Sequence, residues 1–215
     1  MIVATKSSIA GLLNYQDGCI VSRDIIKNLN GGVTLFAFGE GQGLSEHTVP
    51  FDALVQGLEG EAEIMCAGQS YLLHAGEIII LPSSQPHSVK ATKRFKMMLT
   101  RLSSPPNSHR SETKVLNIAN TVEYKDGAIT HQPVVTRQSG RIFIYAYDMG
   151  QARIDGVLLF DTLVQVLEGE VEITVQGNLH HLQANDMILL PSGKTIDMRA
   201  ITRFKMMQTV VEPET

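Results

Sequence analysis

The sequence has no tryptophan, two cysteines, and phenylalanine, tyrosine and tryptophan at only 6% of its 215 positions. Cys19 and Cys66 form no CxxC pair, which excludes the zinc-ribbon and dithiol-redox motifs that need cysteines at short spacing. No apolar run approaches the roughly 20 residues of a membrane-spanning helix. The N-terminal stretch MIVATKSSIAGLLNYQD has one lysine and a short, interrupted apolar run, not the core of a signal peptide. The expectation is a cytoplasmic protein with reduced thiols and no membrane partner. An excess of positive charge is also missing. Lys plus Arg number 18 against 22 Asp plus Glu, a net charge of −4, which leaves no electrostatic footprint for nucleic acid. The cluster Lys90, Lys93, Arg94 and Lys96 reads as a solvated strand end.

What the chain does have is a duplication. Phe51 to Met98 recurs as Phe160 to Met207 at a constant offset, 160 − 51 = 109, and 24 of these 48 positions are identical. Tyr15, Asp17, Gly18 and Ile20 extend the match to Tyr124, Asp126, Gly127 and Ile129. A self-similarity of this kind fixes the domain count before any element is assigned. The expected organisation is an N-terminal unit at 1–102, a linker at 103–117 and a C-terminal unit at 118–215, with Met1–Ser8 as a poorly tied terminus. Two adjacent prolines and several polar residues mark the linker as extended and exposed, with His109 solvated.

Within each unit the signals are those of short strands. Apolar runs of four to eight residues are separated by glycine turns, and no long 3.6-residue periodicity competes with them. Glu61, Glu63 and Met65 alternate with Ala62, Ile64 and Cys66, which puts the second set inside. An all-β sandwich or barrel is the expected class.

Copy one reads Gly41…His47-Thr-Val49…Asp52-Ala53…Gly60 and then Gly76…Pro82-Ser-Ser84-Gln-Pro86-His87…Ala91. These runs resemble the two motifs of the cupin family. The first is glycine, five residues, His-x-His, three or four residues, Glu, six residues, Gly. The second is glycine, five residues, Pro-x-Gly, two residues, His, three residues, Asn. Both copies carry the framework, so the chain resembles a bicupin. The resemblance implies an all-β fold of two tandem antiparallel jelly-roll (double-stranded β-helix) barrels related by internal duplication.

The metal set that the resemblance implies is present only in part. His47 and His87 match two of the four ligands, while Val49 and Ala53 stand where a histidine and a glutamate belong. Asp52, Cys66 and Met98 are further candidates: Asp52 if its strand bulges, Cys66 from its inward position, Met98 as a soft thioether. A divalent transition metal (Mn, Fe, Ni or Zn) accepts neutral imidazoles and needs open positions for water or substrate. At the offset of the two histidines, copy two has Gly156 and Ile196. Its inner positions, Thr162, Val164, Val166, Ile196, Met198 and Ala200, offer no ligand, so the C-terminal unit reads as a structural partner or an apolar pocket. His74, His131, His180 and His181 read as surface or capping residues.

Two functions follow as expectations. One is a metal-dependent cupin enzyme of oxygenase, isomerase or decarboxylase type, acting on a small organic molecule. The other is a non-catalytic module whose N-terminal barrel holds a small ligand without metal, with His47 and His87 as ordinary polar lining residues. Leu54, Leu58, Leu163 and Leu167 alternate with the inner set and form an apolar face suited to barrel packing within the chain or in a homodimer.

Overall fold

The computed structural model describes residues 4–29, 31–103 and 112–212. Nearly all regular structure is strand. Copy one contains β1 (Lys6–Ser8), β2 (Ile20–Lys27), β3 (Gly31–Phe38), β4 (Gly43–His47) and β5 (Phe51–Glu59). It continues with β6 (Glu61–Cys66), β7 (Gln69–His74), β8 (Glu77–Leu81), β9 (His87–Ala91) and β10 (Phe95–Ser103). Copy two repeats these as β11 (Val115–Asn117), β12 (Ile129–Arg137), β13 (Gly140–Tyr147), β14 (Ala152–Val157) and β15 (Thr162–Glu168). The last five are β16 (Glu170–Val175), β17 (Asn178–Gln183), β18 (Asp186–Leu190), β19 (Thr195–Ala200) and β20 (Phe204–Val211).

Each unit is built of a six-stranded and a four-stranded antiparallel sheet. In the N-terminal unit the orders are β11-β8-β5-β10-β3-β2 and β4-β9-β6-β7. In the C-terminal unit they are β1-β18-β15-β20-β13-β12 and β14-β19-β16-β17. Period-two alternation decides what each sheet buries. Ala53 and Val55 of β5, Phe95 and Met97 of β10, Ala62, Ile64 and Cys66 of β6, and Val89 and Ala91 of β9 share one core cluster. The glutamates of β6 lie on the other face, half-buried, as the alternation requires.

The edge strands depart from the expected boundaries. Val115, Leu116 and Asn117 pair with Ile79, Ile78 and Glu77, so β11 completes the N-terminal unit although it precedes copy two in sequence. Lys6, Ser7 and Ser8 pair with Ile188, Met187 and Asp186 at the same offset of 109, so β1 completes the C-terminal unit. The compact units are accordingly Ala10–Ile118 with Arg137–Ser139, and the segment ending at Ile9 with Ala119–Thr136 and Gly140–Glu212. Neither the terminus at Lys6–Ser8 nor the linker at Val115–Asn117 is loose. Asn30 and His109, with the rest of 104–111, lie outside the described residues.

The shared turns show why the repeat is so faithful there. Gly60 and Gly169 both have φ of 72°, and a Cβ on either would meet a backbone carbonyl, Arg94 O at 2.1 Å and Arg203 O at 2.0 Å. Around each turn the same polar set recurs. The Tyr15 hydroxyl donates to Glu59 at 3.0 Å and that of Tyr124 to Glu168 at 3.1 Å. Lys96 and Lys205 each stand 4.8 Å from the corresponding tyrosine ring centroid. Gly60→Ala is expected to lower stability by about 2–4 kcal/mol, because the φ strain and the carbonyl clash add. Gly68→Ala, with φ of 79° and open space at its Cβ, carries the strain alone, about 1 kcal/mol. Urea melts of the two variants compare these costs.

Candidate functional site

The N-terminal candidate site is made by one irregularity in one ladder. β4 pairs with β9, with Gly43 opposite Lys90 and Leu44 opposite Val89, and the register then shifts so that His47 stands opposite His87. Leu44 packs on the core cluster. Regular alternation from Leu44 turns residue 47 to the opposite face. The bulge adds one residue to β4 and restores His47 to the face of Leu44 and His87. On the other side of β9, His87 stands opposite Cys66 of β6. His47, His87 and Cys66 therefore form a row across three strands, and side chains in such a row share a face.

The two imidazole centroids are 4.5 Å apart, with the rings inclined at 56°. Each ring is fixed from behind by the backbone two residues before it. His47 Nδ1 lies 2.8 Å from the carbonyl oxygen of Ser45, and His87 Nδ1 lies 2.9 Å from that of Gln85. A carbonyl only accepts, so in each neutral ring Nδ1 carries the proton and Nε2 presents its lone pair. This arrangement is the one that orients metal-ligating histidines. His47 is exposed, whereas His87 is 5% exposed. Burial, partly offset by the Gln85 carbonyl and reinforced by the charge of His47, holds His87 below the ordinary imidazole pKa. Its lone pair is thus free of a proton at neutral pH.

The other sequence candidates fall elsewhere. Asp52 is on the face of β5 opposite Ala53 and Val55, away from the core cluster. Both of its oxygens are engaged: Oδ1 accepts the Ser83 backbone N–H at 2.8 Å and Oδ2 accepts Arg137 Nε at 2.6 Å. Its role is structural, and so is that of Asp161, which accepts the Ser192 N–H at 2.8 Å. Met98 is buried, but it is Met97 that belongs to the core cluster, so the thioether facing the site side of β10 is not the one singled out from sequence. Cys66 is buried in the histidine row, and its thiol lies 3.6 Å from the Thr113 hydroxyl. Among the described residues no three His, Cys, Asp or Glu side chains are arranged to hold a metal ion. The donor set at hand is two neutral imidazoles. They fit two positions of a divalent transition metal, with the remaining positions left to water or a chelating ligand.

Sequence reasoning missed Arg101. It is registered opposite Ala53 of β5 and Gly32 of β3. Ala53 is the position where the family pattern has its carboxylate ligand. A Cβ at Gly32 would lie 3.1 Å from Arg101 Nη2, so the glycine makes room for the guanidinium. Its Cζ stands 5.6 Å from the Phe51 ring centroid, and its Nε is buried without a hydrogen-bond partner among the described residues. An unsatisfied buried donor on a cation is costly, and an anionic ligand would satisfy it. No spacing motif flags an arginine at a strand end. The small residues opposite it, Gly32 and Ala53, were the available signal. Among the described residues the other histidines stand apart from this pair: His74, His131 and His181 are exposed, His180 is half-buried, and His181 pairs with Glu170 at 3.0 Å.

Comparisons with known proteins agree with this architecture. Residues 106–213 match the family described as ethanolamine utilisation protein EutQ, and residues 30–111 match the AraC-like ligand binding domain. No curated protein matches the sequence. Among solved structures, a cupin 2 conserved barrel domain protein from Leptotrichia buccalis superposes with a TM-score of 0.87 at 19% identity, covering 99% of this chain and 98% of that one. A putative glyoxylate-induced protein from Pseudomonas aeruginosa gives 0.75 at 13% identity, covering 100% and 91%. Salicylate 1,2-dioxygenase from Pseudoaminobacter salicylatoxidans, in adducts with gentisate, gives 0.69 at 12% identity, covering 88% and 73%. The fold is that of a two-barrel cupin. The chain belongs to the cupin superfamily and, by the match over its C-terminal half, to the EutQ family. Among the described residues no helix is long and apolar enough to cross a membrane.

Two outcomes are expected from this geometry. Asp52→Ala removes the carboxylate paired with the mostly buried Arg137 guanidinium and is expected to cost about 3 kcal/mol in a urea melt. Asp161→Ala, at the same repeat position but losing one backbone contact, is expected to cost about 1 kcal/mol. For His87 the folded pKa is the depressed one. Above about pH 6.5 both folded and unfolded rings are neutral and there is no penalty. As pH falls toward the native value the unfolded state alone takes up a proton, so stability declines. His87→Gln is expected to flatten that decline, measured by urea melts between pH 5 and 8.

Proposed function

We propose that the N-terminal barrel binds a small organic anion together with a divalent transition metal held by His47 and His87. The observation that carries this reading is the paired geometry of the two rings, each with Nδ1 tied to a backbone carbonyl and Nε2 free. The Ser45 and Gln85 carbonyls fix tautomer and ring direction before anything binds, which lowers the ordering cost of ligation. Arg101 supplies the charge that selects an anion, with Phe51 stacked near its guanidinium. The apolar wall of Leu44, Val55 and Val89 excludes water around the ligand. A divalent metal at the two imidazoles supplies Lewis-acid polarisation of an oxygen donor. His47 and His87 donate their lone pairs, and Arg101 pairs with the ligand's negative group.

The similarity of residues 30–111 to the AraC-like ligand binding domain supports a small-molecule site in this barrel. So does the structural likeness to a dioxygenase whose structure contains gentisate, an aromatic carboxylate. A second reading has its own observation. With Val49 and Ala53 at the other two ligand positions, the imidazoles can accept hydrogen bonds from the ligand directly, in a metal-free, non-catalytic binding site. The two cysteines, Cys19 and Cys66, are free thiols, which is consistent with a reducing, cytoplasmic setting for either reading.

Elemental analysis by plasma mass spectrometry of untagged protein, as purified and after incubation with Mn, Fe, Ni and Zn, separates them. Close to one metal per chain is expected, lost in the His47→Ala, His87→Ala double variant. Arg101→Met is expected to leave metal content unchanged while weakening binding of an organic anion such as gentisate at least about tenfold. No metal under any condition, with anion binding still lost in the double variant, selects the metal-free reading. Metal and anion binding both intact in the double variant would contradict the site itself.

A further inference from the structure

The C-terminal barrel was expected to offer at most an apolar pocket. The structure instead shows a cavity of about 460 Å³ in that unit, lined by Arg141, Arg153, Gln208 and Thr162 together with aromatic and aliphatic side chains. Arg141, Phe143 and Tyr145 project from one face of β13, and Tyr145 packs on the barrel's core cluster. Arg153 stands opposite Met198 of β19, a member of the same cluster. Its Cζ is 5.8 Å from the Tyr145 ring centroid. Arg141 is anchored at the outer end by Glu212 at 3.1 Å.

The repeat makes this more than a chance pair of arginines. In the N-terminal barrel, Arg101 stands opposite Gly32. At the same cross-strand pair in the C-terminal barrel, Arg141 stands opposite Val210, and 141 − 32 = 210 − 101 = 109. The guanidinium has moved from one strand to its neighbour and occupies the same rung in both barrels. Copy two adds a second cation, Arg153, where copy one has Leu44, and an amide, Gln208, where copy one has Leu99. At the rung where Ala53 stands in copy one, copy two has Thr162. The two histidines are replaced by Gly156 and Ile196. Copy two has thus lost two imidazoles and gained one guanidinium around the corresponding space.

We propose that this cavity is a second, metal-independent binding site, for a small aromatic carboxylate. The volume lies within the range of small-molecule pockets. Arg153, half-buried and held against Tyr145, and Arg141, tied to Glu212, put two guanidinium groups on the cavity wall that can add a ligand carboxylate to their contacts, and Gln208 adds an amide. Phe143, Tyr145 and Phe160 provide ring faces and edges for an aromatic body. The proposal stands on the C-terminal barrel alone and does not depend on the N-terminal site.

The test uses the full-length protein carrying His47→Ala, His87→Ala and Arg101→Met, treated with EDTA, so that both the imidazoles and the anion-selecting charge of the N-terminal barrel are removed. Isothermal titration with benzoate is expected to show one equivalent per chain. Benzamide, of the same shape without the charge, and acetate, the charge without the ring, are each expected to bind at least tenfold more weakly. Adding Arg153→Met is expected to weaken benzoate at least tenfold, with Arg153→Lys restoring part of it. The urea midpoint of each variant reports folding. If Arg153→Met does not fold, Arg141→Met at the exposed rim serves in its place, with a several-fold loss expected. No benzoate binding at millimolar concentration, equal binding of benzamide or acetate, or unchanged binding in the folded arginine variant would each overturn the proposal.

Discussion

The single extra residue in β4 is the constraint on which the N-terminal site depends. Without it, alternation from Leu44 would turn His47 to the opposite face and leave His87 alone in its barrel. With it, two rings from strands 40 positions apart in sequence come to 4.5 Å, and Cys66 extends the row onto β6. The two carbonyls behind the rings complete the arrangement. Ser45 and Gln85 each lie two residues before the histidine they hold, so the same local geometry is used twice. The barrel supplies rigidity and the bulge supplies direction.

The two copies share what maintains the barrels and differ in what lines them. The turn glycines, the Tyr15 and Tyr124 contacts, and the carboxylates of Asp52 and Asp161 hold equivalent backbone in both. Arg94 pairs with Asp17, and Arg203 with Asp126. None of these can explain a difference in function. The lining residues do differ: histidines in one barrel, additional arginine in the other, and a guanidinium that changes strand but keeps its rung. Duplication followed by this division leaves one chain with an imidazole pair lining one barrel and a second guanidinium lining the other. The edge strands β1 and β11, each contributed by the segment ahead of the other copy, make each barrel depend on both halves of the sequence.

Much of this was legible in the sequence because it follows from periodicity. The repeat offset, the all-β class, the inward set Ala62, Ile64 and Cys66, and the candidacy of His47 and His87 need only alternation and a motif. What was not legible depends on register. Asp52 already reads outward by regular alternation from Ala53, but its partner Arg137, 85 positions away, is set by no local pattern. Of Met97 and Met98, the one that faces the core is decided by the pairing of β10 with β3 and β5. Arg101, Arg141 and Arg153 look like ordinary strand charges until their cross-strand neighbours are known. The short runs Lys6–Ser8 and Val115–Asn117 carry too few residues to signal a strand by themselves, and their pairing energy comes from edges that no local pattern reveals.

The central claim is that both N-terminal imidazoles are held in the Nδ1–H tautomer with Nε2 directed at a common ligand. Nitrogen-15 NMR of the histidine rings at pH 7.5, without and with one equivalent of zinc, tests it directly. The account predicts that His47 and His87 both show a protonated Nδ1 and an unprotonated Nε2, and that both Nε2 resonances shift together on addition of zinc. A ring in the other tautomer, or Nε2 resonances that ignore the metal, would contradict it.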